Sequence, residues 1–105
     1  MQGRFIKFYV SQTAKHGGAL LYEWLLEEAH RSGIPGGSVF RAIAGYGRHG
    51  HLHEEHFFEL AGDLPVTVEF FAGEAVIEQF LARLGAEKLS LFYITLPAEG
   101  ALTSA

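Results

Sequence analysis

Two periodicities alternate along this chain, and their order leaves few architectures open. From Arg4 to Val10 the apolar residues fall on every second position, with Ile6, Phe8 and Val10 on one face and Phe5, Lys7 and Tyr9 on the other. That is the period of a strand. After the loop SQTAKHGG, the run from Leu20 to Arg31 changes period: Leu21, Leu25 and Ala29 recur four apart, Leu20 and Trp24 lie beside them, and Glu23 and Glu27 face outward. This reads as an amphipathic helix, stopped by Gly33 in a left-handed cap and kept from continuing by Pro35. A second strand is expected over Val39–Tyr46 and a third over Val66–Phe71, with Pro65 just before it, where its missing donor does least harm. A second helix is expected over Glu74–Leu84, with Val76, Ile77, Phe80, Leu81 and Leu84 inward and Gly85 ending it, and a closing strand over Leu89–Leu96.

The order is strand, helix, strand, strand, helix, strand, so the predicted fold class is α+β, a ferredoxin-like βαββαβ sandwich. At 105 residues, half of them apolar, the chain is one domain on length. That domain is expected over 1–97, with a small-residue tail over 98–105. Both helices should cover one sheet face. The other face also carries Phe5, Tyr9 and Phe71, and LFYIT is apolar on both sides. A sheet apolar on both faces asks for cover on both, and the economical cover is a ring of identical subunits.

Between the second and third strands lies GYGRHGHLHEEHFFELAGDLP, Gly45–Pro65, far longer than a hairpin turn needs. Connections of this length in small domains are commonly functional. It holds four of the six histidines. The formal net charge of −4 argues against nucleic acid as a partner; protonating every histidine moves it to +2, so a pH response is open. The absence of cysteine removes disulfides, thiol catalysis and thiolate metal sites. The start, MQGRFIKFYV, has no signal-peptide pattern, and no apolar run approaches the ~18 residues that cross a bilayer. A soluble cytoplasmic protein is the simplest expectation.

Fold alone carries no function. The residues add more. LYEWLLEEAHRSGIPGGSVFRAIAGYG followed by DLPVTVEFF resembles the domain of unknown function 190 family. The resemblance rests on Leu21–Tyr22–Glu23, Gly33, Gly36–Gly37–Ser38–Val39, Gly45–Tyr46–Gly47 and Leu64–Pro65–Val66 through Glu69, and covers residues 3 to 96. That family is similar to the PII-like signal-transduction superfamily, built as trimers. The resemblance implies a homotrimer with an adenine nucleotide (AMP, ADP or ATP) in clefts between subunits. It also implies that the 47–63 loop, the counterpart of the PII T-loop, reports the bound state to a partner such as a membrane transporter or channel. GYGRHGH resembles the base of that loop, which makes Ser38, Gly45, Tyr46, Gly47, Arg48 and His49 the expected nucleotide contacts. Glycines let a backbone approach closely, successive amides can cradle phosphate oxygens, and arginine can clamp them. Two departures stand out: Val39–Gly45 is one residue longer than PII spacing, and LGAEKLS replaces the Gly-x-Gly-Lys phosphate loop. Nothing after Lys88 is basic, so an adenylate with fewer phosphates fits as well as ATP.

A second reading concerns the histidines. His49, His51 and His53 alternate, so an extended backbone puts them on one side, and His56 follows three residues on. With Glu54, Glu55 and Glu59 nearby, imidazole and carboxylate suit zinc, nickel or copper, as in a metal-tolerance trimer of the divalent-cation tolerance type. A solvated histidine-rich loop and a partner-recognition loop are the other readings of this stretch. His16 and His30 read as ordinary surface residues. Glu69, in an apolar strand, is expected to pair with Arg41 or Lys7 across the sheet. No nucleophile elbow or Walker lysine motif is present, so a binding protein rather than an enzyme is expected.

Overall fold

The computed structural model describes residues 1–45 and 65–104. Its elements in chain order are β1 (Gln2–Ser11), β2 (Lys15–His16), β3 (Ala19–Leu20), α1 (Leu21–Arg31), β4 (Gly37–Arg41), β5 (Pro65–Ala72), α2 (Glu74–Ala86) and β6 (Phe92–Glu99). The four long strands form one sheet in the order β4-β5-β1-β6, with every neighbouring pair antiparallel. This is the ferredoxin-like mixed α+β fold predicted from the periodicities.

Alternation within the strands decides what the helices cover. Ile6, Phe8 and Val10 of β1 and Val66, Val68, Phe70 and Ala72 of β5 are buried beneath α1 and α2. The helices contribute Leu21, Leu25 and Ala29 from one and Ile77, Phe80 and Leu84 from the other. At the centre Phe8, Phe70 and Phe80 meet edge to face, with ring centroids 5.5 to 6.2 Å apart. Such aromatic pairs add to the burial of the rings themselves.

Directly opposed residues of antiparallel strands share a face, so the registers define the side of the sheet away from the helices. One band is Phe71–Phe5–Leu96, and another is Phe40–Thr67–Tyr9–Phe92. Between them runs Ser38–Glu69–Lys7–Ile94. Tyr9, Phe40, Phe92, Ile94 and Leu96 remain exposed on this side. The last described residues do not cover them: Gly100 pairs with the Met1 backbone and Leu102 is itself exposed.

Several boundaries depart from the sequence expectation. SQTAKHGG is not all loop, because Lys15–His16 and Ala19–Leu20 pair as a small hairpin. Gly17 and Gly18 turn it, both with positive φ, 59° and 83°. That is the conformation a two-residue turn demands. The second strand begins at Gly37 and ends at Arg41, not Tyr46. After it only the Ala42 amide reaches the Pro65 carbonyl, and Ile43 stands in solvent. Gly85 does not end α2. The helix continues to Ala86, and the reversal is made by Lys88 at φ 60°, with Lys88 N donating to Gly85 O and Leu89 N to Leu84 O. These are the two bonds of a Schellman cap, with lysine where glycine is usual. The same bonds close α1 at Gly33 and Ile34, as expected for the first helix. β6 runs later than predicted at both ends, Phe92–Glu99 instead of Leu89–Leu96, because pairing with β1 continues through Gln2–Glu99.

Candidate functional site

The fold places the two ends of the 46–64 connection side by side. β4 and β5 are neighbours, and the Ala42–Pro65 hydrogen bond of 3.0 Å fastens them where the chain leaves and re-enters the sheet. Of the expected nucleotide contacts, Ser38 and Gly45 belong to the described residues. Ser38 is exposed on edge strand β4, in the central row beside Glu69, and Gly45 lies exposed four residues beyond that strand's end. Tyr46, Gly47, Arg48 and His49 lie outside the described residues, as do His51, His53 and His56 of the metal reading. Among the described residues no group of three or more histidines, cysteines and carboxylates is arranged to hold a metal ion.

The central row is the polar feature of the uncovered face. Lys7 Nζ stands 3.8 Å from Glu69 Oε2, with the two side chains 29% and 23% exposed. Thr67 Oγ1 donates to the same carboxylate oxygen at 3.1 Å, and the Lys7 ammonium lies 5.9 Å from the Tyr9 ring centre. Of the two bases expected for Glu69, the sheet selects Lys7. Arg41 is in register with Val66, one position out of phase, and so belongs to the other face.

A second polar group sits on the helical side. His16 Nε2 and Glu87 Oε1 are hydrogen-bonded at 2.9 Å, and Arg83 donates to Glu87 Oε2 at 2.7 Å. The second Arg83 nitrogen lies 3.5 Å from Glu28, a buried carboxylate that Arg31 approaches at 4.0 Å. Trp24 packs the cluster, with His16 edge-on at 4.6 Å and the Arg83 guanidinium 5.9 Å from its ring centre. The Arg83 hydrogen bond, followed by that of His16, holds the Glu87 carboxyl below the ordinary glutamate range. The same bond to Glu87 raises the Arg83 guanidinium. His16 therefore departs from the expectation of an ordinary surface residue: it ties the β2–β3 hairpin to the end of α2. The Gly-Gly pair between Lys15-His16 and Ala19-Leu20 was the available signal for that hairpin. Glu28, between apolar Leu25 and Ala29 on the helix, gave no signal in periodicity. His30 is exposed, as expected.

Two shallow grooves accompany these groups. One, of about 200 Å³, is apolar and lies between the end of α2 and the start of β6, lined by Phe8, Leu81, Leu84, Leu89, Leu91 and Tyr93 together with Gly85. The other, about 410 Å³ and open, lies along Leu26, Glu27, His30 and Arg31. Neither is lined by Ser38 or Gly45.

The fold and its topology define a class, the ferredoxin-like α+β domains. A candidate PII-like signalling protein from Thermus thermophilus superposes with a TM-score of 0.61 at 19% identity, covering 92% of this chain and 86% of that one. The CPII protein of Thiomonas intermedia, whose structure holds ADP, AMP and acetate, superposes with a TM-score of 0.53 at 13% identity over 95% and 93% of the two chains. Within that class the chain belongs to the DUF190 family, described as Uncharacterized ACR, COG1993, whose model matches residues 3–94. A UPF0166 protein of Aquifex aeolicus is 36% identical over 81 residues, 77% of each chain. A UPF0166 protein of Methanocaldococcus jannaschii is 32% identical over 84 residues, 80% of this chain and 77% of that one.

Proposed function

We propose that this is a PII-like regulatory protein of the cytoplasm, a binding protein rather than an enzyme. In this reading three copies form a ring, and an adenine nucleotide occupies the clefts between them. Ser38, Gly45, Tyr46, Gly47, Arg48 and His49 contact the nucleotide. The 47–63 loop changes conformation with occupancy and reports it to a partner, a membrane transporter or channel. Ordering a loop by ligand contacts and releasing it without them is an established form of switch.

The observation that carries the reading is the match of nearly the whole chain to the fold of the CPII protein solved with ADP and AMP. The sheet supports it too. The uncovered face presents two apolar bands, one over β5, β1 and β6 and one over all four strands. Exposed apolar bands of this kind commonly mark an interaction surface. An interface between copies also brings the exposed Ser38 and Gly45 into a cleft.

The test is calorimetric titration of metal-stripped protein with AMP, ADP and ATP, with zinc run alongside. The expected result is saturable binding of one nucleotide near one per chain, weakened about tenfold or more by Arg48→Ala, the loss typical of a charged hydrogen bond. Zinc binding that is lost in a His51→Ala/His53→Ala variant, with no nucleotide heat, would replace this reading by the metal-binding one.

A further inference from the structure

We propose that the β2–β3 hairpin is a proton-sensitive strap, latched by His16 across the start of α1 and the end of α2 and drawn tighter when that imidazole is protonated. The strap has little else to hold it. Its pairs are Lys15 with Leu20 and His16 with Ala19, and a two-stranded ribbon is marginal in water by itself. None of residues 11–20 is buried. At the root, Leu21 N donates to Ala14 O at 2.8 Å. Beyond the root the hold runs through His16, with Nε2 on Glu87 Oε1 at 2.9 Å and the ring edge-on to Trp24 at 4.6 Å. The strap leaves the sheet after Ser11, whose register partner is Pro65, so the latch acts at the end of the sheet where the 46–64 connection re-enters.

Glu87 is a fixed acceptor. It is the C-cap residue of α2, its amide donates to Arg83 O at 3.2 Å, and its second carboxylate oxygen takes Arg83 at 2.7 Å. A neutral imidazole donates to such a carboxylate as a neutral group. A protonated one makes the same bond with charge on both sides, roughly twice as strong. The last carbonyls of α2 act in the same direction, because a cation is favoured at a helix C-terminus. The other charges of the cluster balance without His16: Arg83 and Arg31 stand against Glu87 and Glu28. Lys15, Glu23 and Lys88, the chain neighbours of His16, Trp24 and Glu87, are exposed. The bond that Arg83 and Glu87 share raises the first and lowers the second, so both keep their charge between pH 5 and 8, where histidine is the side chain that ordinarily changes.

Amide hydrogen exchange near pH 6 and near pH 8, on the two sides of the ordinary histidine range, tests this when expressed as protection relative to an unstructured chain at the same pH. The amides of residues 15–20 should be about fivefold better protected at the lower pH, the difference between a charged and a neutral hydrogen bond. His16→Gln, which keeps a donor but takes no proton, should show equal protection at both. Glu87→Gln should abolish the difference as well. Where these amides exchange too fast to follow, Trp24 reads the same contact, since it is the chain's single tryptophan and a protonated imidazole quenches indole emission. Its emission should fall from the higher to the lower pH in the wild type and stay level in His16→Gln. A wild type whose strap protection and Trp24 emission are the same at both pH values overturns the proposal and leaves the bond a structural tie. A strap better protected at the higher pH, or a pH response that survives His16→Gln, overturns it too.

Discussion

At the scale of single residues, Lys88 and Glu87 are the most informative. Lys88 takes φ 60° to complete the cap of α2, a conformation that costs an L residue about 1–2 kcal/mol relative to the right-handed region. Lys88→Gly removes that cost but adds freedom to the unfolded chain, so a net gain of about 0.5–1 kcal/mol is expected. For a domain of this size that is a rise of a few degrees in thermal midpoint. An unchanged or lower midpoint would mean the lysine makes a contact worth more than its strain. Glu87 makes a different prediction. Its folded value lies below its unfolded one, chiefly through Arg83 and next through His16. The stabilisation it brings is therefore complete above the ordinary glutamate value and is lost as pH falls through the depressed one. Glu87→Gln should lower the thermal midpoint near neutrality, and the gap between variant and wild type should close as the pH drops below about 4. A gap independent of pH would show that the side chain acts through packing instead.

At the scale of elements, the core follows from periodicity and so was legible in the sequence. The inward residues of β1 and β5, and the four-apart series Leu21, Leu25, Ala29, are buried as their spacing requires. Boundaries were less legible, because they depend on bonds that no pattern encodes. Gly85 resembles a helix stop, yet the helix ends where Lys88 and Leu89 can donate back to Gly85 and Leu84. Val39–Tyr46 looks like one strand, yet its pairing with β5 ends at Arg41, and past the Ala42–Pro65 bond Ile43 stands in solvent. The partner of Glu69 was half legible: a charge in an apolar strand asks for a counter-ion, but the register, not the composition, selects Lys7 over Arg41. The His16–Glu87–Arg83–Glu28 group was hidden, since its members come from a hairpin and two helices far apart in sequence. Of the expected nucleotide contacts, only Ser38 and Gly45 fall among the described residues. The elements also say where the fold is most easily broken. Phe80 is fully buried and stacks edge-on with both Phe8 and Phe70, joining α2 to the two central strands. Phe80→Ala should cost about 3–5 kcal/mol in urea unfolding. A loss under about 1 kcal/mol would mean the core refills the space.

At the scale of the whole molecule, the described residues build a sheet that the helices cover on one side, in a chain of the DUF190 family with a ferredoxin-like fold. Under the proposed function, assembly and ligand binding are one property: the uncovered face brings copies together, and the cleft they create takes the nucleotide. Linkage then requires the two to rise and fall together, because a ligand that binds only the assembled form must favour it. Among the described residues no helix is long and apolar enough to cross a membrane. The most direct measurement is sedimentation velocity of a fluorescent ADP analogue with the protein across a dilution series. Under the proposed function the nucleotide sediments with the assembled species and is released as the assembly dissociates. Nucleotide travelling with the monomer, or failing to sediment with the protein at any concentration, would contradict it.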